Sequence, residues 1–129
     1  MESFFDRVGG QPFFDALVDR FYAGVETDPV LRPLYPADLT DPKSHLALFL
    51  GQYWGGPPAY SELRGAPMLR ARHLRFPIDA AARDEWLGCM QRALDAMDLA
   101  KDDRDELWNY FVQGANFFMN RGGLPISGS

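Results

Sequence analysis

An all-α fold follows from three features of the chain. Apolar residues recur three and four positions apart along four long stretches. Pro, Gly and Asp bound those stretches, and no run alternates apolar with polar residues between hairpin turns. With 129 residues there is room for one domain with a real core and little for a second. Residues 1–121 are assigned to that domain, and 122–129 to a flexible C-terminal tail.

Residues 3–8 form a short helix ahead of the Gly9-Gly10 break. Pro12 suits the first turn of the next helix, over 12–26, where Phe13, Phe14, Leu17, Val18, Phe21, Tyr22 and Val25 make a face too wide for one neighbour. Asp28-Pro29 opens a turn or single-turn helix that Tyr35-Pro36 closes. Thr40 or Asp41 caps a helix beginning near Pro42, which Gly55-Gly56-Pro57-Pro58 stops. Residues 57–67 read as an irregular connection, followed by at most two helical turns through Leu69 and Arg72 and a stop at Phe76-Pro77. Asp79 is the expected N-cap of a helix bearing Trp86, Leu87, Met90, Ala93, Leu94 and Met97. Asp102 or Asp103 starts the last helix, with Leu107, Trp108, Phe111, Ala115 and Phe118 packed inward and Asn120 and Gly122 ending it.

Ten Phe, five Tyr and three Trp are a large aromatic volume for so short a chain; it suits a dense helical core or a flat hydrophobic ligand inside one. The net charge of −5 argues against nucleic acid and anionic lipid as partners, and no stretch approaches the length of a membrane span. Glu2 and Asp6 stand where a secretory signal would be basic, and the lone Cys89 excludes an internal disulfide, so a cytoplasmic protein is expected. Cys89 itself lies in an apolar helical pattern and reads as a small buried hydrophobe.

Cys-x-x-Cys-His, Glu-x-x-His, His-Glu-x-x-His and a glycine-rich nucleotide loop are all absent. Metal chemistry therefore narrows to a cofactor that brings most of its own ligands, as haem does. His73 is one of two histidines and lies among Arg64, Arg70, Arg72 and Arg75, in a chain where eleven of thirteen basic residues are Arg. An imidazole suits iron and guanidinium forks suit carboxylates, so this stretch suggests a haem site. From these residues alone, a histidine hydrogen-bonded in a basic surface turn is equally open.

Several motifs occur together and in order. They are Phe21-Tyr22, Leu34-Tyr35-Pro36, the run Phe49-Leu50-Gly51-Gln52-Tyr53-Trp54-Gly55-Gly56-Pro57, Tyr60-Ser61-Glu62 with Arg64-Gly65, Leu69-Arg70-Ala71-Arg72-His73 and Arg83-Asp84-Glu85-Trp86-Leu87. From about residue 4 to residue 120 the chain resembles the group II branch of the truncated haemoglobins. The resemblance implies two antiparallel helix pairs in a two-over-two sandwich around one non-covalent haem b. It makes His73 the proximal iron ligand and Tyr22, Tyr35 and Trp86 the polar distal cluster, with Trp86 also touching the cofactor. Leu46 becomes an apolar wall, and Phe49 and Leu50 become haem contacts or core. Arg72 is the first choice for a propionate, with Tyr53 a weaker donor and Arg70 and Arg75 behind it. Trp54 packs on the haem region or closes its helix; His45 points to the haem edge or to solvent. Pro42 falls where many globins carry a distal donor, and proline offers none.

The implied function is binding of oxygen, nitric oxide and carbon monoxide with slow release, since hydrogen bonds to a partly charged bound ligand retain it. Redox removal of nitric oxide or peroxide is an extension that requires an electron-donor reductase. The alternative is a gas or redox sensor acting through a partner protein. A homodimer is compatible with either.

Overall fold

The computed structural model describes residues 2–73 and 78–119, excluding the side chains of Arg70 and Ala71. The expected stops at Phe76-Pro77, Asn120 and Gly122, Arg75, and the tail at 122–129 lie outside the described residues. Seven α-helices and a 3-10 turn follow in order. They are α1 (Phe4–Arg7), α2 (Gln11–Thr27), the turn Arg32–Leu34, α3 (Thr40–Tyr53), α4 (Ala59–Arg64), α5 (Leu69–His73), α6 (Ala80–Asp95) and α7 (Lys101–Phe118).

The helix ends show why the chain breaks where it does. At the C-terminus of α1, Gly9 at φ 106 lets its own N–H reach Asp6 O and that of Gly10 reach Phe5 O. The same pair of bonds ends α3, where Gly55 at φ 108 and Gly56 donate to Gln52 O and Gly51 O. These are Schellman ends, and the positive φ is what each glycine is needed for. Asp79 caps α6 as expected, its carboxylate accepting from Ala82 N at 2.8 Å.

Three expectations need correction. The stretch 57–67 is not irregular, because Pro58 precedes one and a half turns of helix, α4, in which Tyr60 is buried. Gln52 fastens it by donating to Ser61 Oγ and accepting from Ser61 N. α3 begins at Thr40 rather than near Pro42, since the Asp38 carboxylate already takes the Thr40 N–H. α7 begins at Lys101, which leaves Asp102 and Asp103 in its first turn, where carboxylates favour the helix dipole.

α2 packs on both α3 and α6, and α6 packs on α7, which gives the two-over-two sandwich. Phe14, Leu17, Phe21 and Val25 of α2 are fully buried, joined by Leu50 of α3, Met90 and Leu94 of α6 and Leu107 of α7. Gln11 adds a polar tie, donating to Ala47 O at 2.8 Å.

One buried charge organises the corner after α2. Asp28 is 7% exposed, and its carboxylate accepts from Val30 N and Leu31 N, both at 2.9 Å. Burial pushes this carboxyl up, but a hydrogen bond from Glu85 and those two amides outweigh burial and hold it below its ordinary 3.8. The same contact raises the Glu85 carboxyl above its ordinary 4.5. A depressed native value means stability that is present above the unfolded value and lost as pH falls through the native one. Asp28→Ala leaves two amides without their acceptor and should cost about 1–3 kcal/mol in urea unfolding at neutral pH. It should also flatten the fall of stability below about pH 4, whereas Asp28→Asn, which keeps an acceptor oxygen, should lose less.

Candidate functional site

Two groups of predicted site residues come together. In the first, the α2 periodicity buries Tyr22 beside Phe21, while the loop after the 3-10 turn brings Tyr35 edge-on to Tyr22 at 5.4 Å between ring centroids. Trp86 of α6 lies 4.9 Å from Phe21. The Tyr22 hydroxyl and the Trp86 indole N–H both lie close enough to the Tyr35 oxygen to interact with it. Tyr35 as a whole is half-buried, and its hydroxyl is desolvated. Desolvation pushes this phenol up to about 12, against the two donated bonds, which lower it. Burial also raises Tyr22, and the bond that it donates to Tyr35 raises it further.

A phenol has one proton to donate and lone pairs to accept with. With Tyr22 and Trp86 both placed at its oxygen, Tyr35 can accept from the two of them and keep its own proton to give.

The second group surrounds His73. The five-residue α5 carries it, and its Nδ1 lies 2.6 Å from Leu69 O. A carbonyl only accepts, so Nδ1 holds the proton and Nε2 holds the lone pair. The imidazole stacks on Phe118 at 4.4 Å and 17°. Beside it opens a cleft of about 690 Å3, lined from α3 by Phe49 and Tyr53, from the start of α5 by Met68 and Leu69, and from α7 by Tyr110, Gln113, Gly114, Phe117 and Phe118. The α7 residues follow helical spacing, so one stripe of that helix faces the cleft. Tyr53, Met68 and Phe117 are 55%, 65% and 55% exposed, three of the five exposed large hydrophobics among the described residues. Apolar surface gathered in one concave place calls for an apolar occupant.

The aromatic packing links the two groups. Trp86 contacts Phe111 at 5.7 Å, Phe111 contacts Tyr110 at 5.4 Å, and Tyr110 lies 4.5 Å from Tyr53 in the cleft wall.

Other predicted residues sit elsewhere. Leu50 is 1% exposed and belongs to the core rather than the cleft wall, and Leu46 is half-buried against that core. Arg72 turns its guanidinium to backbone, donating to Pro67 O at 2.8 Å and Arg64 O at 3.3 Å. His45 Nδ1 lies 3.2 Å from the Arg64 guanidinium, which can only donate, so this imidazole accepts. Burial and then Arg64 lower its pKa. Trp54 packs between Phe4 of α1 and Tyr110 of α7, and its buried Nε1 has no partner among the described residues. Pro42 is half-buried in the first turn of α3.

Sequence reading missed the cleft-facing stripe of α7. Tyr110, Gly114 and Phe117 were legible as a second apolar line at spacings of four and three, set beside the inward pair Leu107 and Phe111, while Phe118, expected to pack inward, lines the cleft. Nothing local distinguishes an apolar face that packs on protein from one that packs on a ligand.

These residues fit a haem. A porphyrin brings four nitrogens and asks the protein for one base and an apolar slot, and His73 beside the Phe49–Phe118 cleft offers both. No group of three or more His, Cys, Asp or Glu among the described residues could hold a bare metal ion. No helix among them is long and apolar enough to cross a membrane.

Comparison with known proteins gives the same reading. The bacterial-like globin family matches residues 3–124. The group 2 truncated hemoglobin of Bacillus subtilis is 43% identical over 112 residues, 87% of this chain and 85% of that protein. Among solved structures, the hemoglobin of Chloroflexus aurantiacus superposes with a TM-score of 0.91 at 47% identity, covering 94% of this chain and 100% of that one. The group II truncated hemoglobin of Bacillus anthracis gives 0.89 at 38%, covering 93% and 98%.

The raised Tyr35 phenol has a measurable consequence. The unfolded phenol ionises near 10.0 while the native one keeps its proton to about 12, so stability falls as pH rises through that window. Tyr35→Phe should flatten part of that fall when unfolding is followed at about pH 9 and about pH 11.

Proposed function

Since this chain belongs to the group II truncated haemoglobins, with the haem-binding globin fold, we propose that it binds oxygen and other diatomic ligands and holds them through Tyr35. The carrying observation is that Tyr22 packs edge-on to Tyr35 and that Tyr22 and Trp86 converge on its oxygen, so that Tyr35 can accept from them and keep its own proton to give. Haem, when bound, supplies an iron with one position open to oxygen, nitric oxide or carbon monoxide.

His73 would hold the iron, and its Nδ1–H bond to Leu69 O keeps Nε2 basic and oriented. Phe49, Tyr53, Phe117 and Phe118 line the cleft and would give an apolar group apolar contact and keep water from it. Donors directed into the Tyr35 oxygen polarise its O–H and strengthen the bond that it gives. A hydrogen bond to a partly charged acceptor contributes about 1.5–3 kcal/mol, roughly a ten- to hundredfold slowing of release. Pro42 adds no donor near the start of α3, so the cluster carries the retention alone.

Strong retention suits reaction of the held ligand, such as oxidation of nitric oxide to nitrate, better than bulk delivery. Sustained turnover would draw electrons from a separate reductase, and a stirred nitric-oxide electrode with candidate cellular reductants reads that directly.

Two outcomes test the site. His73→Gly should lose most of its haem on gel filtration and regain a coordinated spectrum with added imidazole, whereas His45→Gly should keep both. An unaltered iron–histidine Raman band in His73→Gly would remove His73 from the iron. In stopped-flow displacement by carbon monoxide, Tyr35→Phe should release oxygen about ten- to a hundredfold faster. Tyr22→Phe and Trp86→Phe should each do less, and neither should add fully to Tyr35→Phe, because both act partly through that hydroxyl.

A further inference from the structure

Tyr35 stands on a loop, where no helical ladder holds the backbone. It follows the 3-10 turn at φ −116 and ψ 155, and α3 does not begin until Thr40. Yet three successive carbonyls of this loop accept from one side chain. The Arg32 guanidinium donates through one terminal nitrogen to Tyr35 O at 3.3 Å and Pro36 O at 3.0 Å, and through the other to Ala37 O at 2.9 Å. Tyr35 N in turn donates to Arg32 O at 3.2 Å. The loop is wrapped around the planar fork, a geometry that a lysine ammonium cannot reproduce.

The base of this wrap is held as well. Arg32 N donates to Asp28 O at 2.9 Å, and the Asp28 carboxylate fixes Val30 and Leu31 immediately before it. Through Glu85, the residue before Trp86, the same carboxylate reaches α6. Tyr35 and Trp86 are thus referenced to one another through the backbone as well as through their side chains. Arg32 itself is half-buried and borders a polar cleft with Glu26, Thr40 and Lys43, so shortening it removes hydrogen bonds without opening the core.

We propose that Arg32 is a positioning residue for Tyr35: by gathering the carbonyls of residues 35–37 it aims the phenol at the ligand without touching that ligand. This rests on Tyr35 being the ligand donor.

The test compares Arg32→Met, Arg32→Lys, Tyr35→Phe and the double variant Arg32→Met with Tyr35→Phe, all as haem-reconstituted full-length protein. The infrared C–O stretch of the carbon monoxide complex reads the polarity and spread of the donor, and stopped-flow oxygen release reads its strength. In haem-free protein, the 13C resonance of labelled Tyr35 reads the hydroxyl's surroundings without the cofactor. Arg32→Met should broaden and shift the C–O band, speed release about three- to tenfold, and move the Tyr35 resonance. Arg32→Lys should do the same to a smaller extent, and in the Tyr35→Phe background Arg32→Met should add nothing.

Equal effects of Arg32→Met with and without Tyr35 would overturn the inference. So would a lowered melting temperature with an unmoved C–O band, or, where Arg32→Met does not fold, an Arg32→Lys band identical to the parent's. An unmoved band and release rate in Tyr35→Phe alone would instead remove Tyr35 as donor, and this role of Arg32 with it.

Discussion

The apolar surface of α2 is wide enough to be buried against α3 and α6 together, and the remaining helices arrange themselves around that burial. Phe14, Leu17, Phe21 and Val25 are excluded from water, and they set how far apart α3 and α6 stand. Buried Leu, Val and Phe side chains contribute roughly 1.5–3 kcal/mol each, so this one helix outweighs any single polar contact in the fold. Tyr22 shares the helix and inherits its rigidity. The site's innermost donor is therefore placed by hydrophobic packing, not by the bonds that it makes.

Tyr35 is placed in the opposite way. No helix carries it, and its position depends on polar contacts: Tyr22 and Trp86 at its hydroxyl, Arg32 at its carbonyl, and Asp28 at the corner before it. Burying such groups is costly unless each finds a partner, and here two of the partners lie within seven residues of Tyr35. Asp28 lies four residues before Arg32, and Arg32 three before Tyr35, so a short segment satisfies itself and delivers one phenol. Packing supplies the rigid wall while local hydrogen bonding supplies the adjustable donor.

On the other side, the protein leaves apolar area uncovered. Tyr53, Met68 and Phe117 face a cleft that the helices do not fill, next to an imidazole whose tautomer a backbone carbonyl has already selected. Met68 at the start of α5 has a φ of 46, the positive-φ non-glycine residue among those described. That conformation is uncommon for any residue with a Cβ and lies one residue before the helix that carries His73. Surface left open in this way is unfavourable for the protein alone and becomes favourable once a flat apolar group covers it.

By itself the sequence determined the four long helices and their order, because each is written locally in a three-and-four periodicity with Pro, Gly or Asp near its ends, whereas α4 carries too few turns for a period to show. It also determined which residues could do chemistry: two histidines, one cysteine and a small set of polar aromatics leave little choice. The ordered motifs pointed to the family for the same reason. Tertiary structure decided what those residues touch. That Leu50 turns into the core while Tyr53, one helical turn away, faces the cleft depends on how α3 is rotated against α2. That Arg72 serves two backbone carbonyls and Arg32 serves three depends on loop closures that have no periodicity to read. Helix formation follows nearest neighbours along the chain, whereas the choice of face and of hydrogen-bond partner is settled only when separate segments compete to be buried together.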